Sequence, residues 1–144
     1  MARVSTYLNF PGKTEEAFHF YRSVFRTEFA GPIARFSEAP SHPDHPLSDA
    51  DKQLVLHIEL PTLGGHVLMG TDAVASMGMR VTTGNNMHLN LEPDTRDEAK
   101  RLFDALADGG EIRIPLQDMF WGAYFGSLVD RYGINWMVNC AAPA

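Results

Sequence analysis

The chain has 144 residues, 44% hydrophobic and 21% charged, a composition that fits one compact globular domain burying roughly 70% of its unfolded surface. Its 12 Lys and Arg against 18 Asp and Glu give a net charge of −6 without a basic stripe, which argues against a nucleic-acid partner. A single cysteine excludes an internal disulfide, and no apolar run approaches the roughly 18 residues of a membrane span. With no signal-peptide pattern at the N-terminus, we expect a soluble cytoplasmic protein without a membrane partner.

The first half of the chain predicts the order β-α-β-β-β. Val4–Phe10 is predicted as a strand, and Thr14–Phe25 as a helix whose N-cap is Thr14, because apolar residues recur at helical spacing. Three further strands are predicted at Glu28–Ser37, Leu54–Leu60 and His66–Gly70. The apolar positions of the helix are Ala17, Phe18, Tyr21, Val24 and Phe25.

The segment Glu38–Lys52 is rich in Pro, Ser, Asp and His and predicts a long loop. Within it His42 and His45 form an H-x-x-H spacing. Loop histidines without Cys or carboxylate companions are usually only exposed, so we expect no metal site there.

The second half repeats this order after a connection at Thr71–Asn85, because Met87–Leu91 matches Thr6–Phe10 and a similarly patterned helix follows it. We therefore predict two modules, residues 1–75 and 86–142, within a single domain of residues 1–144. Gly65–Met69 matches Gly133–Met137 near the end of each module.

The later elements of the second module end in a hairpin. Gly109-Gly110 is predicted to end the second helix, and Glu111–Pro115 to form a short strand. Phe120–Val129 and Ile134–Asn139 are predicted to pair around the turn residues between them.

Two stretches carry a resemblance to a known family: YLNFPGKTEEAFHFYRSVF near the front and MFWGAYFG…VDRYGINWMVN near the back. The chain resembles the vicinal oxygen chelate superfamily of glyoxalase I, extradiol dioxygenases and bleomycin-resistance proteins, and within it the PhnB-like proteins. The resemblance implies an α+β fold in which two β-α-β-β-β modules form curled mixed sheets around a concave cavity, and a homodimer. Many PhnB-like proteins carry an old label as 3-demethylubiquinone 3-methyltransferases, but we find no glycine-rich turn of the kind that cradles S-adenosylmethionine.

Strand alternation predicts which side chains face that cavity, because helices cover the other face of each sheet. One set should pack under helices: Leu8, Phe10, Leu56, Ile58, Leu89, Leu91 and Trp136. The opposite set should face the cavity or its rim: Tyr7, Asn9, His57, Glu59, Met69, His88, Asn90, Asn135, Met137 and Asn139.

Metal-using relatives hold a divalent ion with His, Glu or Gln from the first and last strands of each module. The matching positions here offer Ser5, Thr6 and Tyr7, then Met69 and Gly70, then His88, then Met137. Only His88 is ligand-like, so we expect no metal cofactor and keep a divalent metal as the alternative.

Other groups allow a functional and a structural interpretation. His57 and Glu59 are two residues apart on one strand, which suits either acid–base chemistry or a solvated face. The aromatic residues Phe120, Trp121, Tyr124 and Phe125 suit either stacking on a planar ligand or a core. Cys140 has no activating neighbour in sequence and is expected to be a buried or interface thiol.

The sequence thus predicts a small-molecule binding protein with a metal-free pocket for a partly aromatic or apolar ligand. A metal-dependent lyase, isomerase or dioxygenase of the same superfamily is the alternative, and a protein whose dimer surface matters more than its cavity is a third. The predicted ligand-binding residues are Tyr7, Asn9, His57, Glu59, His88, Asn90, Trp121, Tyr124 and Met137.

Overall fold

The computed structural model describes residues 1–40, 44 and 46–144, so His42 and His45 lie outside the described residues. The chain forms two compact units, Met1–Thr82 (unit 1) and Thr83–Ala144 (unit 2). Each unit has a four-stranded mixed sheet and elements in the order β-α-β-β-β, with one additional four-residue helix after the second strand of unit 1, which confirms the predicted α+β class. A cavity shared by the modules stays a prediction.

No helix in the described ranges is long and apolar enough to cross a lipid bilayer.

Unit 1 has a sheet with the strand order β1-β4-β3-β2, in which β1 runs parallel to β4 and the other pairs are antiparallel. Its elements are β1 (Thr6–Phe10), α1 (Thr14–Phe25), β2 (Ala34–Arg35), α2 (Asp49–Lys52), β3 (Val55–Pro61) and β4 (Val67–Asp72). Three short 3₁₀ turns lie at Phe36–Glu38, Leu63–Gly65 and Ala75–Met77.

Helix α1 confirms the predicted apolar stripe, because the five residues spaced along it are all buried against the sheet. The prediction that Thr14 is the N-cap is wrong, since Lys13 occupies that position and Thr14 is the first helical residue. The buried carboxylate of Asp72 accepts the Thr14 N–H at 3.0 Å on Oδ1 and the Val55 N–H at 2.8 Å on Oδ2. A side chain distant in sequence thereby satisfies a free N–H of the first turn.

The predicted strand Glu28–Ser37 is shortened to Ala34–Arg35. Pro32 has no N–H to donate to a sheet, and the pairing with β3 is irregular between Ala34 and Arg35. The chain then turns at Phe36, whose N–H is donated to the carbonyl of Leu54 at 3.0 Å. The regular pairing is therefore limited to Ala34–Arg35, although the Ala30 N–H still donates to the Glu59 carbonyl of β3 at 3.0 Å.

The segment predicted as a loop, Glu38–Lys52, ends in the short helix α2. Ser48 caps this helix, since its Oγ accepts the Asp51 N–H at 3.1 Å. The serine and the acidic first turn were a start signal that the lack of periodicity obscured.

Unit 2 has the strand order β5-β8-β7-β6, with β5 parallel to β8 and the other pairs antiparallel. Its elements are β5 (Leu89–Leu91), α3 (Arg96–Ala107), β6 (Glu111–Asp118), β7 (Tyr124–Val129) and β8 (Asn135–Cys140). Thr95 caps α3 through its Oγ1, which accepts the Glu98 N–H at 3.1 Å. Helix α3 ends at Ala107, just before the predicted glycine pair, and Gly109 has a φ of 77° that favours glycine.

The predicted hairpin is confirmed, because β7 and β8 pair from Tyr124↔Cys140 to Val129↔Asn135. Its first strand begins at Tyr124 and not at Phe120, since residues 119–123 turn the chain between β6 and β7. Strand β6 is also longer than predicted and continues past Pro115 to Asp118, which the edge position of β6 permits.

Asp130 closes the hairpin turn with a buried carboxylate. Its Oδ1 accepts the N–H groups of Tyr132 at 2.8 Å and Ile134 at 3.1 Å, and its Oδ2 accepts the Trp136 Nε1–H at 2.9 Å. The D–YG–W pattern therefore specifies a turn and its attachment to the core.

The helices cover one face of each sheet, as strand alternation predicts. Leu8, Phe10, Ile58, Leu91 and Trp136 are buried, whereas Leu56 and Leu89 are half-buried. In each unit a phenylalanine ring packs closely on a strand glycine. A Cβ added to Gly70 would lie 2.5 Å from the Phe18 ring, and one added to Gly126 would lie 2.8 Å from the Phe103 ring.

Cys140 is fully buried, which confirms a buried thiol.

Candidate functional site

The sheet of unit 1 has a second face, opposite α1, which we call the open face of unit 1. Strand alternation places six side chains there: Tyr7, Asn9, His57, Glu59, Met69 and Thr71. Tyr7, Met69 and Glu59 form one row across β1, β4 and β3. The sheet therefore brings together four of the predicted ligand-binding residues, Tyr7, Asn9, His57 and Glu59.

Three of these side chains form a line. The Tyr7 hydroxyl lies 3.1 Å from His57 Nδ1, and His57 Nε2 lies 3.7 Å from Glu59 Oε2. The other oxygen of Glu59 accepts from Arg3 Nη2 at 3.5 Å. Of the two neutral tautomers of His57, a carboxylate beside Nε2 favours the one with its proton on Nε2. In that tautomer Nδ1 can accept the Tyr7 hydroxyl proton.

Arg3 was not among the predicted site residues. The signal that could have identified it is the continued alternation of Arg3, Ser5, Tyr7 and Asn9, which directs all four side chains to one side.

Partial burial raises the pKa of Tyr7 above its usual value of 10.0. Because desolvation disfavours the phenolate, the hydroxyl keeps its proton at neutral pH and is available as a hydrogen-bond donor. The ring is still 48% exposed, so a ligand on the open face can reach it.

The open face of unit 2 is the side of its sheet opposite α3. Its two central rows are Asn90–Met137–Ser127 and Asn139–Phe125–Gln117. No side chain in these rows is ionisable, and the rows combine amide and hydroxyl groups with a methionine and an aromatic ring. This face can therefore offer neutral hydrogen bonds and apolar contact.

Aromatic side chains extend that face at the turn between β6 and β7. The Trp121 ring lies 5.9 Å from the Phe125 ring, and the Phe120 ring lies 4.9 Å from Trp121 in an edge-to-face arrangement. Trp121 is 53% exposed and Phe120 is 97% exposed, so neither is a core residue. An exposed indole beside neutral polar groups is a suitable surface for stacking.

Tyr124 lies on the other side of the sheet, although it was predicted to bind ligand together with Trp121. It is two residues from Gly126, whose Cα faces Phe103 of α3, and the Arg96 guanidinium lies 4.8 Å from the Tyr124 ring centroid. Tyr124 thus belongs to the packing of α3 and is separated from the open face by the sheet.

His88 lies before β5 and is exposed, so the sheet does not hold it. The sequence repeat aligns Tyr7 with His88 and Met69 with Met137, yet Met69 pairs with Tyr7 and Met137 pairs with Asn90. The parallel pairing of unit 2 is therefore offset by two residues from the repeat, which moves Asn90 into the position that His88 was expected to fill.

Metal-using relatives of this fold require several donor side chains around one ion. Among the residues that the structure describes, no group of three or more His, Cys, Asp or Glu side chains is placed to hold a metal. The positions central to the two open faces carry the thioethers of Met69 and Met137, which are poor ligands for the hard divalent ions of this fold. The described side chains at these positions do not form the donor set of a divalent metal centre.

Comparison with solved structures defines the class of protein. The fold matches a glyoxalase/bleomycin resistance protein/dioxygenase family enzyme from Burkholderia phytofirmans, with a TM-score of 0.62, 19% identity, and coverage of 95% of this chain and 98% of the other. The two β-α-β-β-β units thus define a member of the glyoxalase/bleomycin resistance fold class.

The particular family follows from closer matches. Residues 2–139 match the family described as 3-demethylubiquinone-9 3-methyltransferase, and the chain belongs to this PhnB-like family. Protein PA1353 from Pseudomonas aeruginosa is 32% identical with a TM-score of 0.82, covering 97% of this chain and 98% of that one. A PhnB protein from Bacillus cereus, described as a putative 3-demethylubiquinone-9 3-methyltransferase, is 30% identical with a TM-score of 0.76, covering 97% and 100%.

Proposed function

We propose that this PhnB-like chain binds a small, partly aromatic or apolar molecule on its open faces without a metal ion. The observation that carries the proposal is the exposed indole of Trp121 beside two rows of neutral polar side chains. Binding sites for such ligands combine apolar and aromatic surface with a few placed polar groups.

The two open faces offer different contacts to ligands of this class. Trp121 and Phe125 would contact the flat surface of the ligand, and Asn90 would donate or accept at its polar edge. On unit 1, Tyr7, Asn9, His57 and Glu59 would contact a hydroxyl or carbonyl group of the same class of molecule.

Quenching of tryptophan fluorescence tests this proposal, because Trp121 is exposed and Trp136 is only 1% exposed. We would titrate planar aromatic compounds, beginning with 1-naphthol, and expect saturable quenching that Trp121→Phe abolishes and Asn90→Ala weakens. Ile112→Ala is the matched control, since Ile112 is an exposed apolar residue of the same sheet on its helix side. Calorimetric titration follows binding to Trp121→Phe, which lacks the exposed indole, and saturable binding unaffected by Trp121→Phe and Asn90→Ala would refute the location.

The alternative is a metal-dependent lyase, isomerase or dioxygenase, which the names of relatives in this fold class keep open. It is tested by following the melting temperature during titration with Ni, Mn, Fe(II) and Zn. A ligand specific for the folded state stabilises it by about 2.7 kcal/mol at roughly 100 times its Kd, which corresponds to several degrees. We expect almost no shift; a rise with one metal that His88→Ala removes would favour the enzyme, as would stoichiometric metal in the purified protein.

We further propose that two copies associate in the cytoplasm. Strand β6 lies at a sheet edge and exposes Ile112 and Ile114 by 49% and 38%, which suits contact with a second chain. Light scattering should give about twice the chain mass of 16.0 kDa. A clean monomer at micromolar concentration would contradict this proposal.

A further inference from the structure

Three of the proposed ligand contacts on the open face of unit 1 also contact one another directly. Tyr7, His57 and Glu59 come from two different strands, and their functional groups follow one another at 3.1 Å and 3.7 Å. The tilted rings of Tyr7 and His57 have centroids 5.8 Å apart, so the contact is made through the hydroxyl and not by stacking.

The fold itself does not require Tyr, His and Glu at these three positions. The row Tyr7–Met69–Glu59 of unit 1 corresponds to the row Asn90–Met137–Ser127 of unit 2, since Met69 and Met137 are equivalent in the repeat. His57 precedes Glu59 by two residues as Phe125 precedes Ser127. Unit 2 therefore builds the same sheet with an amide, a phenyl ring and a hydroxyl at these positions.

We infer that Tyr7, His57 and Glu59 form a proton-transfer relay in which Tyr7 acts on a bound small molecule that carries a weakly acidic hydroxyl group. The Tyr7 oxygen would accept the proton of the ligand while the Tyr7 proton moves to His57 Nδ1. The product pair is the ligand oxyanion and the imidazolium of His57, so charge and protons balance without another reactant. Glu59 would stabilise the imidazolium, and Arg3 would hold Glu59 in place.

The protonation of Tyr7 agrees with this role. Because burial raises the pKa of Tyr7, a free phenolate is not present at neutral pH, and the hydroxyl needs a base in contact with it to act. His57 Nδ1 is that base. The remaining side chains facing these three groups are Ser5 just before β1, Asn9 of β1, and Met69 and Thr71 of β4, none of which is charged.

The chain also provides a matched comparison. On the other face of unit 1, the Thr6 Oγ1 lies 2.8 Å from His66 Nε2, so a second histidine contacts a hydroxyl of β1 one residue away from Tyr7. His66 belongs to neither open face, and no carboxylate is found beside its ring among the ion pairs of the described residues.

The relay can be tested without the natural ligand, so failure of the ligand titrations and failure of the relay are distinguishable. We would treat the protein with phenylmethanesulfonyl fluoride and follow each tyrosine by peptide mass spectrometry. The Tyr7 oxygen attacks sulfur, the S–F bond breaks with loss of fluoride, and the phenol proton passes to His57. Tyr132 serves as the internal reference for reagent activity.

We expect His57→Leu to slow modification of Tyr7 by about a hundredfold, the lower end of general-base contributions. Glu59→Gln should slow it less, and His66→Leu should leave it unchanged. Circular dichroism and melting temperature establish that each variant is folded, with His57→Gln as a second variant. Unchanged or faster modification in the His57 variants, or equal slowing by His66→Leu, would overturn the relay.

Discussion

The two open faces present different chemistry at equivalent positions of the same sheet. Unit 1 has His57 in contact with both Tyr7 and Glu59, whereas unit 2 has Asn90, Phe125 and Ser127 in the corresponding places. The helix sides, in contrast, are alike in that a phenylalanine of the helix packs on a strand glycine, although Gly70 lies on β4 and Gly126 on β7. The difference teaches that the packed side of each sheet maintains the fold, while the open side is free to carry separate functions.

The largest expected effect concerns the helix side of unit 2. Trp136→Ala should lower the free energy of unfolding by about 3–5 kcal/mol, because it removes a buried indole and leaves a cavity. It also deprives the buried Asp130 carboxylate of the indole N–H. Urea unfolding measures this change, and a loss below about 1 kcal/mol would mean that the packed and open faces have been confused.

A smaller effect is expected from the close contact between α1 and β4 in unit 1. Gly70→Ala should cost about 1–3 kcal/mol, since its Cβ would approach the Phe18 ring at 2.5 Å and Thr14 Cγ2 at 3.1 Å. Gly84→Ala is the control, because the nearest atom to its Cβ is 3.7 Å away. Equal melting temperatures for the two variants would show that α1 does not pack as described.

The sequence predicted the features of the two faces that depend on neighbouring residues, and it missed those that depend on pairing between distant segments. Alternation along a strand is local, so the assignment of Tyr7 and His57 to one face and of Trp136 to the other succeeded. The pairing of β5 with β8 joins distant segments, and a slip of two residues keeps every side chain on its face. The hydrophobic pattern therefore could not reveal that Asn90 and not His88 lies beside Met137.

The site residues near the turn show a second limit. Trp121 and Tyr124 were predicted to act together, but the strand begins at Tyr124, and Arg96 of α3 contacts the Tyr124 ring. Likewise Asp72 satisfies the N–H of Thr14 from 58 residues away, which no local capping rule identifies. Both misses arise from contacts between segments that are remote in sequence.

The smallest expected effect is a pH-dependent one on the surface of unit 1. The hydrogen bonds from Arg35 lower the pKa of Glu15 below its usual 4.5. A carboxylate whose pKa is lowered in the folded state stabilises the fold at pH values above its unfolded-state pKa. That stabilisation is lost as the pH falls through its folded-state pKa. Glu15→Gln should therefore lower the melting temperature slightly at pH 7, and the difference should shrink below about pH 4.5.

Glu16→Gln is the control for that experiment, because Glu16 contacts only the exposed Lys13 at 3.8 Å among the ion pairs of the described part of α1. It should change the melting temperature less than Glu15→Gln at pH 7. A difference for Glu15→Gln that stays constant or grows towards pH 3 would contradict the sign of the pKa shift.

The most direct test of the ligand-binding face uses the methyl groups of methionine. Met137 lies at the centre of the open face of unit 2 and Met69 at the same place in unit 1. With ¹³C-methyl methionine we would titrate a planar aromatic compound selected by tryptophan quenching and record the shifts of all seven methionines. The account predicts a ring-current shift at Met137 that Trp121→Phe reduces. Binding that leaves Met137 unchanged while methionines outside the open faces, such as Met77 or Met87, shift would contradict it.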